Sequence, residues 1–225
     1  MNIAMMHFRV GETDGVSLEM DKWKFILEKN GHKVCYIAGS EGTSKCHVVK
    51  EMYYRDAYDL ELNKALFEEL GPYTEDTLKQ AVLAQSDLIK EQLVELFVTL
   101  DIDLVIPNNL LCLGRSPHIA MALTNAILET GVKVIGHHHD FYWERDYFKV
   151  PTTDYSRELL ETYFPPKQLP SMKHVVINTL AKRDLKVRKG LKSKVIPNVF
   201  DFDMPSWIVD EYNSTYKADM GIKDN

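Results

Sequence analysis

Apolar residues in this chain fall into two kinds of segment: short runs that are apolar almost throughout, and longer stretches where they recur every three or four positions. Asn2–Phe8 is the first short run and reads as a buried strand. After the loop at 9–15, Val16, Leu18, Met20, Trp23, Ile26 and Leu27 mark a helix over Val16–Asn30 with one buried face. Gly31 stands where that helix ends. Lys33–Ala38 is a second strand, followed by residues 39–58, which lack a period and read as a loop or a short irregular helix.

Helical spacing returns over Leu60–Leu70 and Thr74–Leu100, interrupted at Gly71-Pro72. Leu104–Pro107 is a third strand, Pro117–Thr130 a helix with Ser116 as its cap, and Val132–Gly136 a fourth strand. A polar-aromatic loop, 137–153, precedes a helix at Tyr155–Phe164. His174–Ile177 and Lys194–Ile196 are the last strands, with the helix Leu180–Lys189 between them. Wholly apolar strands alternating with helices predict a parallel sheet covered on both faces. With short, right-handed connections, that is an α/β, doubly wound, Rossmann-like domain.

Composition narrows the setting. A formal net charge of -6 speaks against nucleic acid as the main partner, because a phosphate backbone demands clustered cations. Peripheral membrane contact stays open. Three cysteines at no metal-ligand spacing fit a reducing, cytoplasmic compartment and predict no bound metal. The start, MNIAMMHF, reads as a strand rather than a secretory leader.

In an open parallel sheet, ligands bind beyond the carboxyl ends of the strands. The residues there are Gly11, Asp14 and Gly15 after the first strand, and Asn108 and Asn109 after the third. His137, His138, His139 and Asp140 follow the fourth, Asn178 and Thr179 the fifth, and Asn198 the sixth. This inventory is rich in hydrogen-bonding groups and poor in nucleophiles, which suits a polyhydroxylated ligand. The 11–15 loop matches neither the dinucleotide fingerprint nor a Walker loop. It is either a plain tight turn capped by Asp14, or a turn that brings backbone N–H groups and a helix dipole close to an anion. Three adjacent histidines cannot readily converge on one ion, so a hydrogen-bonding role for one of them is the better reading. The aromatic and charged loop 141–150 is either an acceptor wall or a segment folded on the surface.

The strand-loop-helix ending LEKNGHKVCYIAG, the strand VKVIGHHHD, and the segments VVINTLAKRDL and KSKVIPNVFDF occur in one order. In that order the chain resembles the N-terminal domain of family 4 glycosyltransferases, the retaining GT-B enzymes. The resemblance implies the N-terminal, acceptor-side half of a GT-B architecture over 1–200, with 201–225 as a linker toward a C-terminal donor domain. It implies transfer of a hexose from a nucleotide-activated sugar to an acceptor hydroxyl, with retention and without a cofactor. It implies that the chain is inactive alone and needs the C-terminal domain in cis or in trans.

Carried over by position, His139 is the catalytic candidate that touches the transferred sugar. Gly11, Asp14, Gly15, Asn108, Asn109, Asp140, Asn178, Thr179 and Asn198 line donor and acceptor. Two departures stand out: the family's adjacent glycines are here the separated Gly11 and Gly15, and Val199 replaces a glycine. Two other readings remain. One is a non-catalytic binding or assembly module. The other is a nucleotide-sugar epimerase of the same architecture, for which Asp140 is the one good carboxylate at a strand exit. The apolar spacing of Ile208, Tyr212 and Tyr216 also predicts a tail helix that packs back on its own domain or against a second copy, giving a weak homo-oligomer.

Overall fold

Ile3 and Met5 pack toward one side of the first strand and Ala4, Met6 and Phe8 toward the other, so this strand lies between two apolar layers. The computed structural model describes residues 1–148, 150–200 and 214–221. Within them the strands are β1 (Asn2–His7), β2 (Lys33–Ala38), β3 (His47–Val48), β4 (Leu104–Pro107), β5 (Lys133–His138), β6 (Lys173–Val176) and β7 (Lys194–Val195). They form one sheet in the order β3-β2-β1-β4-β5-β6-β7, and every neighbouring pair is parallel. With helices on its faces this is the α/β, Rossmann-like arrangement that the alternation predicts.

The main helices are α1 (Gly15–Lys29), α2 (Ala57–Phe67), α3 (Glu75–Thr99), α4 (Pro117–Thr130), α5 (Asp154–Tyr163) and α6 (Thr179–Lys189). Helix α1 covers one face through Met20, against Ile3, Met5, Tyr36 and Ile106. Helices α2 to α5 cover the other, where Leu62, Leu66, Leu78, Ile119, Leu123 and Leu159 enclose Met6, Ile37 and Val105. Helix α6 adds Ala181 and Leu185 over Val176. Full burial of each such side chain contributes about 1.5–3 kcal/mol. Helix α1 stops at Asn30 because Gly31, at φ +81°, lets its own N–H reach Glu28 and that of His32 reach Leu27.

Several elements differ from the pattern reading. The stretch 39–58 contains β3, too short to show a period, and a 3₁₀ turn at Lys50–Met52. Helix α2 starts earlier than Leu60, because Asp56 accepts the N–H of Tyr58 at 2.9 Å. It ends at Phe67, short of Leu70. Strand β5 runs two residues past Gly136, since His137 and His138 pair with Val175 and Val176. Ser116 holds the cap position of α4, but at φ +52° its hydroxyl caps nothing; Asn63 accepts the Ser116 N–H instead, at 3.0 Å. The proposed boundary near residue 200 and the apolar tail positions Ile208 and Tyr212 lie outside the described residues. Of the tail, only a helical turn at Tyr216–Asp219 is described.

Candidate functional site

The carboxyl ends of β1, β5 and β7 bring together a cluster centred on His139. Strand β5 alternates, so His137 and His139 share a face and their rings lie 4.3 Å apart. Trp23 of α1 stacks on the far side of His137 at 4.4 Å. The indole N–H of Trp23 donates to Glu19 at 3.1 Å, and Lys22 pairs with the same buried carboxylate at 2.5 Å. Lys22 also donates to the carbonyl of Val199, tying the segment after β7 to α1. Asn198, on that segment, places its side-chain nitrogen 3.5 Å from Nδ1 of His139. His139 is half-buried, and its Nε2 is shielded from solvent without a partner.

Asn108 and Asn109 build the frame under this cluster. Asn108 is wholly buried: its amide N–H donates to the Ile106 carbonyl, its Oδ1 meets Nδ1 of His137 at 2.9 Å, and its backbone oxygen meets Nδ1 of His7 at 2.8 Å. Asn109, at φ +59°, accepts the backbone N–H of His139 at 2.8 Å and donates to Asp140 at 3.2 Å. The other Asp140 oxygen is held by Arg145. Both asparagines therefore fix the β5 exit rather than offering free side chains.

At the β1 exit, Asp14 caps α1 by accepting from the N–H groups of Val16 and Ser17 and from the Ser17 hydroxyl. Arg9 pairs with it at 3.4 Å. Burial pushes the Asp14 carboxyl upward, but the Ser17 hydrogen bonds and the charge of Arg9 outweigh this and hold it below the usual carboxylate range. Gly11 and Gly15 differ sharply. Gly11, at φ +70°, is packed so that a Cβ would lie 2.3 Å from the backbone nitrogen of Ser44. Gly15 is exposed and has open space where its Cβ would be. Asn178 caps α6 through the N–H of Ala181 at 2.8 Å, and both Asn178 and Thr179 are exposed.

The histidines here are neutral bases. Burial lowers His7 to about 4 and His137 to about 3, and lowers His139 as well, against the charges of Asp140, Glu19 and Asp14. His138 faces the opposite side of β5, fully buried, with Nε2 3.0 Å from Nδ1 of His174. A neutral His139 that accepts at Nδ1 from Asn198 carries its proton on Nε2, which makes it a hydrogen-bond donor to an oxygen rather than an acid. Trp23, Glu19 and Lys22 belong to the cluster although the apolar pattern does not single them out as site residues, and Arg145 joins it from the charged loop 141–150. Trp23 and Glu19 sit on the buried face of an amphipathic helix and look like core positions. Among the described residues no group of three or more His, Cys, Asp or Glu is placed to hold a metal ion. No described helix is long and apolar enough to cross a membrane.

No protein-family model matches the chain. Two curated relatives do, both named mannosylglucosylglycerate synthase. The protein from Petrotoga mobilis is 46% identical over 213 residues, covering 95% of this chain and 48% of its own length. The one from Thermotoga maritima is 40% identical over 210 residues, covering 91% of this chain and 46% of its own. The chain is a homologue of these synthases. It spans about half the length of the curated relatives it matches.

Proposed function

We propose that the chain is the acceptor-side Rossmann-like half of a GT-B glycosyltransferase of family 4 type, which moves a mannosyl group from a nucleotide-activated sugar to a glucosylglycerate-like acceptor. The observation that carries this is the 46% identity over 95% of the chain to a protein named for that product. The site agrees in kind. It offers a neutral histidine with an unfilled Nε2 and open space beside Gly15 at the start of α1, whose first N–H groups are capped by Asp14. His139 donates to a hydroxyl of the transferred sugar. Because Nε2 is shielded, that contact requires a turn of the ring or a shift of the Asn198–Val199 segment. Transfer proceeds with retention, as the ordered motifs of the retaining enzymes imply. The nucleotide is gripped by a second domain, in cis or in trans.

The test joins this chain to the complementary half of the Petrotoga mobilis relative and supplies guanosine or uridine diphosphate mannose with glucosylglycerate. Mass spectrometry of the product and NMR of its new anomeric centre read transfer and stereochemistry. Transfer with retention by the joined protein, and none by the chain alone, is the expected result. No transfer from either donor overturns the reading, and an inverted anomeric centre overturns its mechanistic half.

A further inference from the structure

Three arginines gather on the ring of Tyr54. The guanidinium carbons of Arg9, Arg55 and Arg115 stand 5.3, 5.2 and 5.0 Å from its centroid. Arg115 is the most firmly built of them. Its Nη2 donates to the Tyr54 carbonyl at 2.7 Å and lies 3.8 Å from the buried carboxylate of Asp59, while its Nε is buried without a partner. A guanidinium fixed at one end with an N–H left over is a donor waiting for an acceptor.

Arg115 lines a cavity of about 300 Å³ whose other walls are Leu113, Arg145, Tyr147 and Phe148. That is the lower end of the size range of ligand pockets, enough for a single small polar molecule. Two of its lining residues are cationic and none is a carboxylate. Burial, with the Glu68 carboxylate to which its hydroxyl is hydrogen-bonded, pushes the Tyr147 phenol up to about 12, so it stays neutral. Arg145 reaches from the cavity to Asp140, next to His139, so the wall of this cavity and the β5 exit are joined by one ion pair.

We infer that this cavity binds the carboxylate of a small polyhydroxy acid, the glycerate-type end of the acceptor, through Arg115 and Arg145. The inference rests on the acceptor class given under Proposed function and adds the residues that recognise its charge. A guanidinium fork matches a carboxylate with two parallel hydrogen bonds. Each arginine is already balanced in part by one carboxylate, Asp59 or Asp140, so the charge remaining suits a monoanion better than a phosphate dianion. An acceptor anchored there by its acid end keeps its sugar hydroxyls on the side of the β5 exit, where His139 stands.

The experiment titrates the chain with D-glycerate, glycerol and inorganic phosphate by NMR, and repeats the glycerate titration on Arg145→Gln, Arg115→Lys and His139→Ala. Circular dichroism and a melting curve establish that each variant is folded. Glycerate is expected to bind, glycerol to leave the spectrum unchanged, and phosphate to bind more weakly than glycerate. Arg145→Gln and Arg115→Lys are expected to weaken glycerate at least tenfold, the second because a lysine keeps the charge and loses the fork, whereas His139→Ala leaves it unchanged. Absence of glycerate binding, equal binding of glycerol, tighter binding of phosphate, or parent-like affinity in a folded arginine variant overturns the inference. Failure of the transfer assay with glycerate binding intact counts against the proposed function alone. Equal transfer to glucosylglycerate and glucosylglycerol counts against the carboxylate site alone.

Discussion

Asn108 Oδ1 accepts a hydrogen bond from Nδ1 of His137 at 2.9 Å, and this fixes which nitrogen of that ring carries the proton. With the proton on Nδ1, Nε2 of His137 holds a lone pair and the ring stays neutral between Trp23 and His139. Asn108→Ala removes this acceptor and leaves the Nδ1–H of the buried His137 ring without a partner. Stranding buried polar groups costs about 1–3 kcal/mol. The expected outcome is a lower urea midpoint with an unchanged denaturant slope, together with weaker transfer in the joined protein because His139 loses its support. A midpoint equal to that of the parent would show that water replaces the amide at no cost.

Adjacent histidines at the end of β5 separate activity from stability. His139→Ala is expected to lower the turnover of the joined protein by about 2.7–4 kcal/mol of transition-state stabilisation, the usual effect of removing one preorganised donor, with little change in melting temperature. His138 lies fully buried on the other face, beside His174 and Phe141. His138→Ala opens a cavity there and is expected to cost about 2–5 kcal/mol of stability while the folded fraction keeps its turnover. The kcat and thermal melts of the two variants check this. If both lose activity with unchanged stability, the opposite-face assignment fails.

How far the sequence discloses the molecule depends on how local the signal is. The alternation of β1, β2, β4 and β6 with α1, α3, α4 and α6 is plain from apolar spacing, because each strand is buried on both faces, α1, α3 and α6 are buried on one, and α4 is an apolar run buried nearly all round. Strand β3 escapes because two residues cannot show a period. The end of β5 escapes because buried histidines look polar until the His138–His174 pairing is known. The exits of the strands are legible as polar positions, yet their division of labour is not. Asn108 and Asn109 look like ligand groups and are committed to the frame. Arg115 and Tyr54 look like loop residues and meet only through a contact of 61 positions along the chain. Long-range contacts of that kind leave no mark on local pattern.

Acid is expected to destabilise the fold through these histidines. His7 and His174 are lowered to about 4 by burial, whereas an unfolded histidine titrates near 6.5. Between those values the unfolded chain binds more protons than the folded one, so stability falls as pH drops from about 6.5 to about 4. Each such histidine contributes a slope of up to about 1.4 kcal/mol per pH unit. Urea unfolding at a series of pH values measures it. His174→Gln is expected to flatten the profile, and a profile as steep as that of the parent would rule out His174 as a source of the acid sensitivity.

Gly11 and Gly15 are expected to respond in opposite ways to the same substitution. Gly11→Ala places a methyl group 2.3 Å from the Ser44 backbone nitrogen at a φ of +70°, so the 41–44 loop must move. The clash and the left-handed backbone together make this variant destabilised, by about 1–3 kcal/mol. Gly15 begins α1, and a Cβ there meets nothing within 4 Å. Alanine is the better helix former, so Gly15→Ala is expected to be neutral or to stabilise by up to about 1 kcal/mol. Any loss of transfer in Gly15→Ala then comes from a methyl group standing where the ligand approaches, not from damage to the fold. Melting curves paired with donor KM in the joined protein decide the matter: raised KM with an unchanged or higher melting temperature assigns the open space beside Gly15 to the donor. An unchanged KM in that stable variant removes Gly15 from the site and leaves the 11–15 loop as a turn capped by Asp14.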